Sequence, residues 1–119
     1  SVLAVDDQKE LGEEEMKVKV DSRDVIKDIS KSIPVEEADG EYIGIMKLTS
    51  KDAGKVLKSI DTLFMHGMYN LYYEDAIRSV TITDDCFHKC STRGLPCIEV
   101  DTLEDLNNAR IVVGRIKGG

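Results

Sequence analysis

The chain has 119 residues, of which 41% are hydrophobic and 33% charged, which suffices for one core and is too short for two domains. Its net charge of −7 disfavours a nucleic-acid or anionic-membrane surface, because such partners require clustered basic side chains. No apolar run approaches the roughly 20 residues of a membrane span, and no secretory signal pattern opens the chain. We therefore expect one cytoplasmic unit covering residues 1–119.

The first third of the chain predicts strands joined by polar segments. Residues 1–5 form a short apolar run typical of a buried strand, whose upstream partner we expect outside this sequence. Residues 6–15 carry six acids against one lysine and predict a solvated loop. Residues 16–20 and 25–30 alternate in polarity, and the turn-forming residues 21–24 between them indicate a hairpin.

The middle of the chain predicts a strand followed by two helices. Residues 42–48 indicate a core strand, in which Gly44 marks either a bulge or close approach by another group. Thr49 can cap the next helix, which Gly67 would end. Its apolar residues at helical spacing are Ala53, Val56, Leu57, Ile60, Leu63 and Phe64. A shorter helix follows from about residue 72 to residue 80.

The last third predicts two strands and a final helix. Residues 86–92 and 97–100 are strand candidates separated by a Gly-Leu-Pro turn. Thr102 is the predicted cap of a helix from residue 103 to about residue 116. The inward face of this helix would be Leu103, Leu106, Ala109 and Val113. Because strands alternate with helices and no sustained hairpin ladder is visible, we predict an α/β layer fold.

The three cysteines are an odd number, which fits a reducing compartment better than a disulfide framework. Cys86, His88 and Cys90 alternate, so on a strand they would share one face and resemble a set of metal ligands. No fourth ligand lies at a finger-like spacing. We therefore favour unpaired thiols and a surface histidine over a metal site.

The strongest local signal for chemistry is the segment I-E-V-D-T-L-E-D-L at residues 98–106. Asp101 would lie at the carboxyl end of a buried strand and directly before a helix cap, at the crevice where open α/β sheets bind ligands. This location favours a metal ligand. The alternative is that Asp101 and Thr102 only satisfy the first amide groups of the helix, and the segment alone leaves both open.

Four separated segments resemble one family in the same order. E-V-D-T-L-E-D-L at 99–106 is similar to the E-[IV]-D-T-x-E-D-L segment of nucleotidyltransferases that make sugar nucleotides, CDP-choline and related cytidylyl compounds. G-E-Y-I-G-I at 40–45 resembles the strand beside their acceptor pocket, and Y-Y-E-D-A at 72–76 resembles their aromatic-acidic helix start. I-S-K-S at 29–32 matches their second-half lysine segment.

The resemblance implies a role for each matching residue. Asp101 would be one of two acids that hold Mg²⁺ between the α-phosphate of the nucleotide and the acceptor phosphate, and Lys31 would contact the acceptor phosphate. The residues implied to line the acceptor pocket are Glu41, Gly44, Tyr72, Tyr73, Glu74 and Asp75. Among these, an aromatic face and the two acids of the helix start would suit a cationic amine such as choline.

Each of these residues also has a purely structural interpretation. Lys31 would be a solvent-facing lysine after a hairpin, and Gly44 a packing glycine. Glu41 would be an edge acid, and Glu74 and Asp75 would be favourable partners of the helix dipole.

The chain departs from the family in lacking its glycine-rich phosphate loop and its upstream metal-binding acid. The resemblance therefore implies a partial Rossmann-like three-layer fold, with a mixed sheet, flanking helices and no nucleotide-binding half. The intact parent would transfer CMP from CTP to the phosphate or phosphonate of a small acceptor such as phosphocholine. The chain alone would be inactive.

Two other functions remain open from the sequence. One is a sugar-1-phosphate nucleotidyltransferase that uses UTP, GTP or dTTP, and the other is a non-catalytic binding or assembly module. The expected partners are a phosphorylated acceptor and, through the missing half, a nucleoside triphosphate. We expect neither nucleic acid nor membrane as a partner, and a homodimer stays open.

Overall fold

The computed structural model describes residues 1–68, 73–95, 100 and 102–118. Its strands are Val2–Asp6 (β1), Lys17–Val20 (β2), Ile26–Ser30 (β3), Gly40–Lys47 (β4) and His88–Ser91 (β5). Its helices are Ser50–Met65 (α1), Tyr73–Thr83 (α2) and Leu103–Gly118 (α3), with a 3-10 turn at Val35–Glu37. The predicted elements are confirmed in position apart from the strand at 97–100, of which residues 97–99 lie outside the described part. The predicted core strand is only partly buried, since Ile45 of β4 is 63% exposed.

The strands form one mixed sheet in the order β3-β2-β4-β1-β5. The β1–β5 pair is parallel, whereas β1–β4, β2–β3 and β2–β4 are antiparallel. The parallel pair requires a crossover, which α1 and α2 supply between β4 and β5. The α/β class is confirmed. The prediction that the partner of β1 lies outside this sequence is wrong, because β4 and β5 occupy both sides of that strand.

The core lies between the sheet and the two helices α1 and α2. Its buried side chains are Leu3, Val5, Val18, Ile26, Ile29, Tyr42, Val56, Ala76, Ile77, Val80 and Phe87. Alternate residues of a strand face the same side, which explains why Leu3 and Val5 both enter the core. Burying one such aliphatic side chain stabilises the fold by about 1.5–3 kcal/mol.

Helix α3 has no extensive contact with any other strand or helix that the structure describes. Leu103 is 80% exposed and Val113 47% exposed, so the predicted inward face of this helix is wrong for both residues. Its sequence periodicity is correct for a helix, and the other two residues of the predicted stripe, Leu106 and Ala109, are half-buried. None of the described helices is long and apolar enough to cross a membrane.

The two ends of the sheet meet at one corner. The Ile26 amide donates to the Phe87 carbonyl at 2.8 Å, and the Lys89 amide donates to the Asp24 carbonyl at 2.8 Å. The Lys89 ammonium also lies 2.9 Å from Asp7 Oδ2 and 3.7 Å from Asp24 Oδ1. Lys89 therefore joins the end of β1 to the start of β3.

The same corner predicts an acid-sensitive contribution to stability. Hydrogen bonds from Ser91 and from Lys89 lower the pKa of Asp7 below its ordinary value of 3.8. A carboxyl whose pKa is lower in the folded state stabilises the protein above that ordinary value, and this stabilisation is lost as the pH falls through the lowered pKa. We expect the free energy of unfolding, measured by urea titration, to decline below about pH 4.

The matched variant for this prediction is Ser91→Ala, which removes the 2.7 Å hydrogen bond from Ser91 Oγ to Asp7 Oδ1. Its unfolding free energy should depend less steeply on pH below about pH 4. Identical pH profiles for the variant and the wild type would show that Asp7 does not contribute in this way.

Candidate functional site

The residue with the strongest predicted role, Asp101, lies outside the described residues, and so does Tyr72. The metal-ligand prediction for Asp101 and the pocket prediction for Tyr72 therefore stay predictions. Immediately after Asp101 in sequence, the Thr102 hydroxyl accepts the Asp105 amide at 3.1 Å, and Asp105 Oδ2 accepts the Thr102 amide at 3.2 Å. These reciprocal bonds form a capping box, so the predicted cap of α3 at Thr102 is confirmed.

Lys31 directly follows β3, and its side chain is exposed. Its backbone carbonyl accepts a hydrogen bond from the side chain of Lys17, a residue that is only 1% exposed. The Lys17 ammonium donates to the carbonyl oxygens of Glu13, Glu15 and Lys31 at 2.7, 3.1 and 2.7 Å. All three donors of this ammonium are thus used, which makes Lys17 a structural brace. Lys17 fixes the chain from which the Lys31 side chain extends.

Replacing Lys17 by methionine should lower the free energy of unfolding by about 2 kcal/mol, because three carbonyl oxygens would lose their donor. Urea titration of the chain measures this loss. Lys47→Met is the matched control, since Lys47 is an exposed lysine of β4. It should change stability by no more than about 0.5 kcal/mol. Equal effects of the two substitutions would contradict the bracing role.

Glu41 and Tyr42 are adjacent on β4 and lie on opposite faces of the sheet. Tyr42 pairs with the buried Val5 and belongs to the core. The Glu41 carboxylate instead lies 3.0 Å from the Lys9 ammonium, which also contacts Glu15 at 2.7 Å. Since strand neighbours point to opposite faces, Glu41 lies away from the helical layer.

Tyr73 at the start of α2 lies on the helical side and contacts Tyr42. The two hydroxyl oxygens are 3.0 Å apart, and the two rings meet edge to face with centroids 6.5 Å apart. Burial raises the pKa of Tyr42, and the Tyr73 hydroxyl and the Glu74 charge raise it further. Tyr73 thus contacts Tyr42 and Glu74 acts on it electrostatically, and the raised pKa keeps the Tyr42 hydroxyl protonated at neutral pH.

Glu74 and Asp75 lie in the first turn of α2. This is the end where the helix dipole favours negative charge, so the structural interpretation of both acids is satisfied. Both side chains are partly exposed. Glu74 also influences Tyr42, whereas Asp75 acts electrostatically on Arg78. The two acids thus serve different neighbours.

Gly44 occupies an irregular part of β4 and is exposed. The pairing of β1 with β4 shifts between Leu3 and Val5, and Gly44 has a φ of +89°. No atom lies within 4 Å of the position that a Cβ would take. Gly44 was predicted to mark either a bulge or close approach by another group, and within the described part of the chain it marks a bulge.

The described residues do not bring all the predicted acceptor residues together. Tyr73 and Glu74 form one group, whereas Glu41 lies on the opposite face with Lys9. Tyr42 was predicted as part of a core strand and of the segment at 40–45 matched to the strand beside the acceptor pocket. Its hydroxyl contact with Tyr73 has no local sequence signal because the two residues are 31 positions apart. Glu74 is partly exposed and directly follows the exposed Tyr73, and an acid next to an aromatic ring is suited to holding a cationic group.

No three His, Cys, Asp or Glu side chains of the described part form a group that could hold a metal ion. Cys90 and His88 are exposed on β5, and Cys86 precedes the strand. Mg²⁺ takes one or two carboxylates together with waters and substrate phosphates, and the predicted carboxylate, Asp101, lies outside the described residues, so the Mg²⁺ prediction stays a prediction. A site at Asp101 would need a second acid from outside this chain, as the family resemblance implies.

Comparison with models of protein families, with curated proteins and with solved structures gave no match for this chain.

Proposed function

We propose that this chain is the acceptor side of a nucleotidyltransferase whose intact parent transfers CMP from CTP to the phosphate or phosphonate of a small acceptor such as phosphocholine, with release of pyrophosphate. The proposal includes the Rossmann-like three-layer fold of such enzymes, with the nucleotide-binding half supplied by the parent. It is based on the four family-like segments, and above all on E-V-D-T-L-E-D-L at 99–106.

The observation that most supports the proposal is the cap of α3. The sequence left open whether Asp101 serves only to cap this helix. Thr102 and Asp105 already form the reciprocal cap. The cap of α3 is therefore formed by Thr102 and Asp105, and a metal ligand is the role that we propose for Asp101.

In the proposed reaction, the acceptor phosphate is itself the nucleophile, so this chain supplies positioning and charge rather than a general base. Lys31 would bind the acceptor phosphate oxygens, and its position depends on the bond from Lys17 to its carbonyl. Tyr73, with Glu74, would hold the cationic end of an acceptor such as phosphocholine. Mg²⁺ held by Asp101 and an acid of the parent would neutralise phosphate charge.

The test is an assay of the intact parent for pyrophosphate release with each of CTP, UTP, GTP and dTTP. We expect release with CTP and Mg²⁺ to depend on phosphocholine or a related phosphorylated amine. A preference for UTP or dTTP with a sugar 1-phosphate would replace the cytidylyl proposal by the sugar-nucleotide alternative. No release with any pair of substrates, from a folded parent, would favour a non-catalytic module.

A further inference from the structure

A cavity of about 190 Å³ lies at the β3 edge of the sheet. Strands β2 and β3, the segment after β3 and helix α2 all contribute to its wall. Its lining residues are Lys19, Asp28, Ser30, Ser32, Ile33, Pro34, Glu37 and Arg78. None of the described residues predicted for the acceptor lines this cavity, although Ser30 and Ser32 flank Lys31 in the sequence.

Two of the four charged side chains in the cavity neutralise each other. Arg78 Nε lies 2.8 Å from Asp28 Oδ1, which also accepts the Ile29 amide at 2.8 Å. Lys19 and Glu37 remain, and among the described residues neither has a hydrogen-bonding or ion-pair partner for its side chain. The two side chains therefore form no ion pair with each other. The cavity thus contains a separated positive and negative charge.

The remaining lining residues add hydroxyl donors and an apolar wall. Ser30 Oγ accepts the Ser32 amide at 3.0 Å, which leaves the Ser30 hydroxyl proton free for a further bond. Ser32 adds a second hydroxyl beside it. Ile33 is 6% exposed and, with Pro34, supplies the apolar surface. A ligand with two polar ends and a short hydrocarbon linker would match all of these groups.

The geometry points to a binding site for a small zwitterion, namely an ω-amino acid with a carboxylate and an ammonium joined by a few methylene groups. The carboxylate binds Lys19 and the serine hydroxyls, and the ammonium binds Glu37. A single unpaired lysine suits a carboxylate better than a phosphate monoester, which carries about −1.5 to −2 charges. The cavity is also smaller than the roughly 300–1,000 Å³ of sites for drug-sized ligands.

The test is an NMR titration of the 119-residue chain with γ-aminobutyrate, butyrate and butylamine at neutral pH and low salt. We expect saturable shifts in residues 28–37, with a Kd for γ-aminobutyrate about tenfold lower than for either single-charge compound, because only the zwitterion forms both charged bonds. This experiment involves no nucleotide, so its outcome is independent of the proposed nucleotidyl transfer. Equal Kd values for the three compounds, or no saturable shift, would overturn the inference.

Single substitutions test whether Lys19 and Glu37 bind the two charged ends of the ligand. Lys19→Met and Glu37→Gln should each raise the Kd for γ-aminobutyrate about tenfold. Glu36→Gln, a substitution of the neighbouring acid that does not line the cavity, should leave it unchanged. If Lys19→Met unfolds the chain, the comparison of Glu37→Gln with Glu36→Gln still tests whether the cavity binds the zwitterion. Equal weakening by these two glutamine variants would refute a specific site.

Discussion

Replacement of Gly40 by alanine should lower the free energy of unfolding by about 3 kcal/mol, because the added methyl group overpacks the core. A Cβ at this position would lie 2.5 Å from Val5 Cγ1 and 2.8 Å from the Asp6 carbonyl oxygen. Val5 is completely buried, so its side chain cannot turn into solvent to avoid the added methyl group. The Asp6 oxygen belongs to the backbone of β1, so relief requires that the β1–β4 pair separate. Urea unfolding monitored by circular dichroism measures the loss.

Gly54→Ala is the matched control for this prediction. Gly54 lies within α1, and no atom lies within 4 Å of the position that its Cβ would take. Alanine favours a helix interior over glycine by about 1 kcal/mol, so this variant should be more stable than the wild type. If Gly40→Ala were as stable as the wild type while Gly54→Ala behaved as expected, the close approach of β1 to Gly40 would be contradicted.

Gly40 also shows the limit of the sequence as a guide to function. The segment at 40–45 was matched to a strand beside an acceptor pocket, and the glycine at its start has a sufficient explanation in the contact with β1. The second glycine of the segment, Gly44, adopts a positive φ in a bulge. Both glycines are thus explained by backbone geometry, so they add little to the case for the pocket.

The sequence predicted secondary structure best where the pattern involves residues close together in the chain. The helical spacing from Ala53 to Phe64 located α1, and the predicted cap is confirmed because Thr49 Oγ1 accepts the Asp52 amide at 3.1 Å. Hairpin alternation likewise located β2 and β3. These features depend on residues within one or two helical turns or on adjacent strands, so their periodic pattern is visible within a short stretch of sequence.

The contacts that shape the candidate site could not be predicted, because they join distant segments. Lys17 alternates with apolar neighbours and should face solvent, yet the segment at 13–15 covers it and uses its ammonium. The contact between Glu41 and Lys9 spans 32 positions. No periodic pattern encodes such pairs, so the sequence identified candidate residues without showing that Glu41 and Tyr73 lie on different faces.

The sharpest test of the proposed chemistry is Asp101→Asn in the intact parent. We expect kcat/KM for nucleotidyl transfer to fall roughly 10²- to 10⁴-fold, since a catalytic metal contributes several kcal/mol of charge stabilisation. Asparagine keeps the size of the side chain and removes its charge. The Mg²⁺ concentration needed for half-maximal rate should rise in the variant, and its thermal unfolding should stay close to that of the wild type.

Asp105→Asn, four residues further along the same segment, separates a metal role from a helix cap. Asp105 Oδ2 accepts the Thr102 amide, so its substitution should weaken α3 by about 0.5–1 kcal/mol without changing the Mg²⁺ dependence. The two acids thus predict opposite patterns, in which Asp101→Asn changes rate and Mg²⁺ dependence while Asp105→Asn changes stability. Retained activity in Asp101→Asn would eliminate the metal role, and an equal loss of rate in both variants would assign the segment to holding α3 in place.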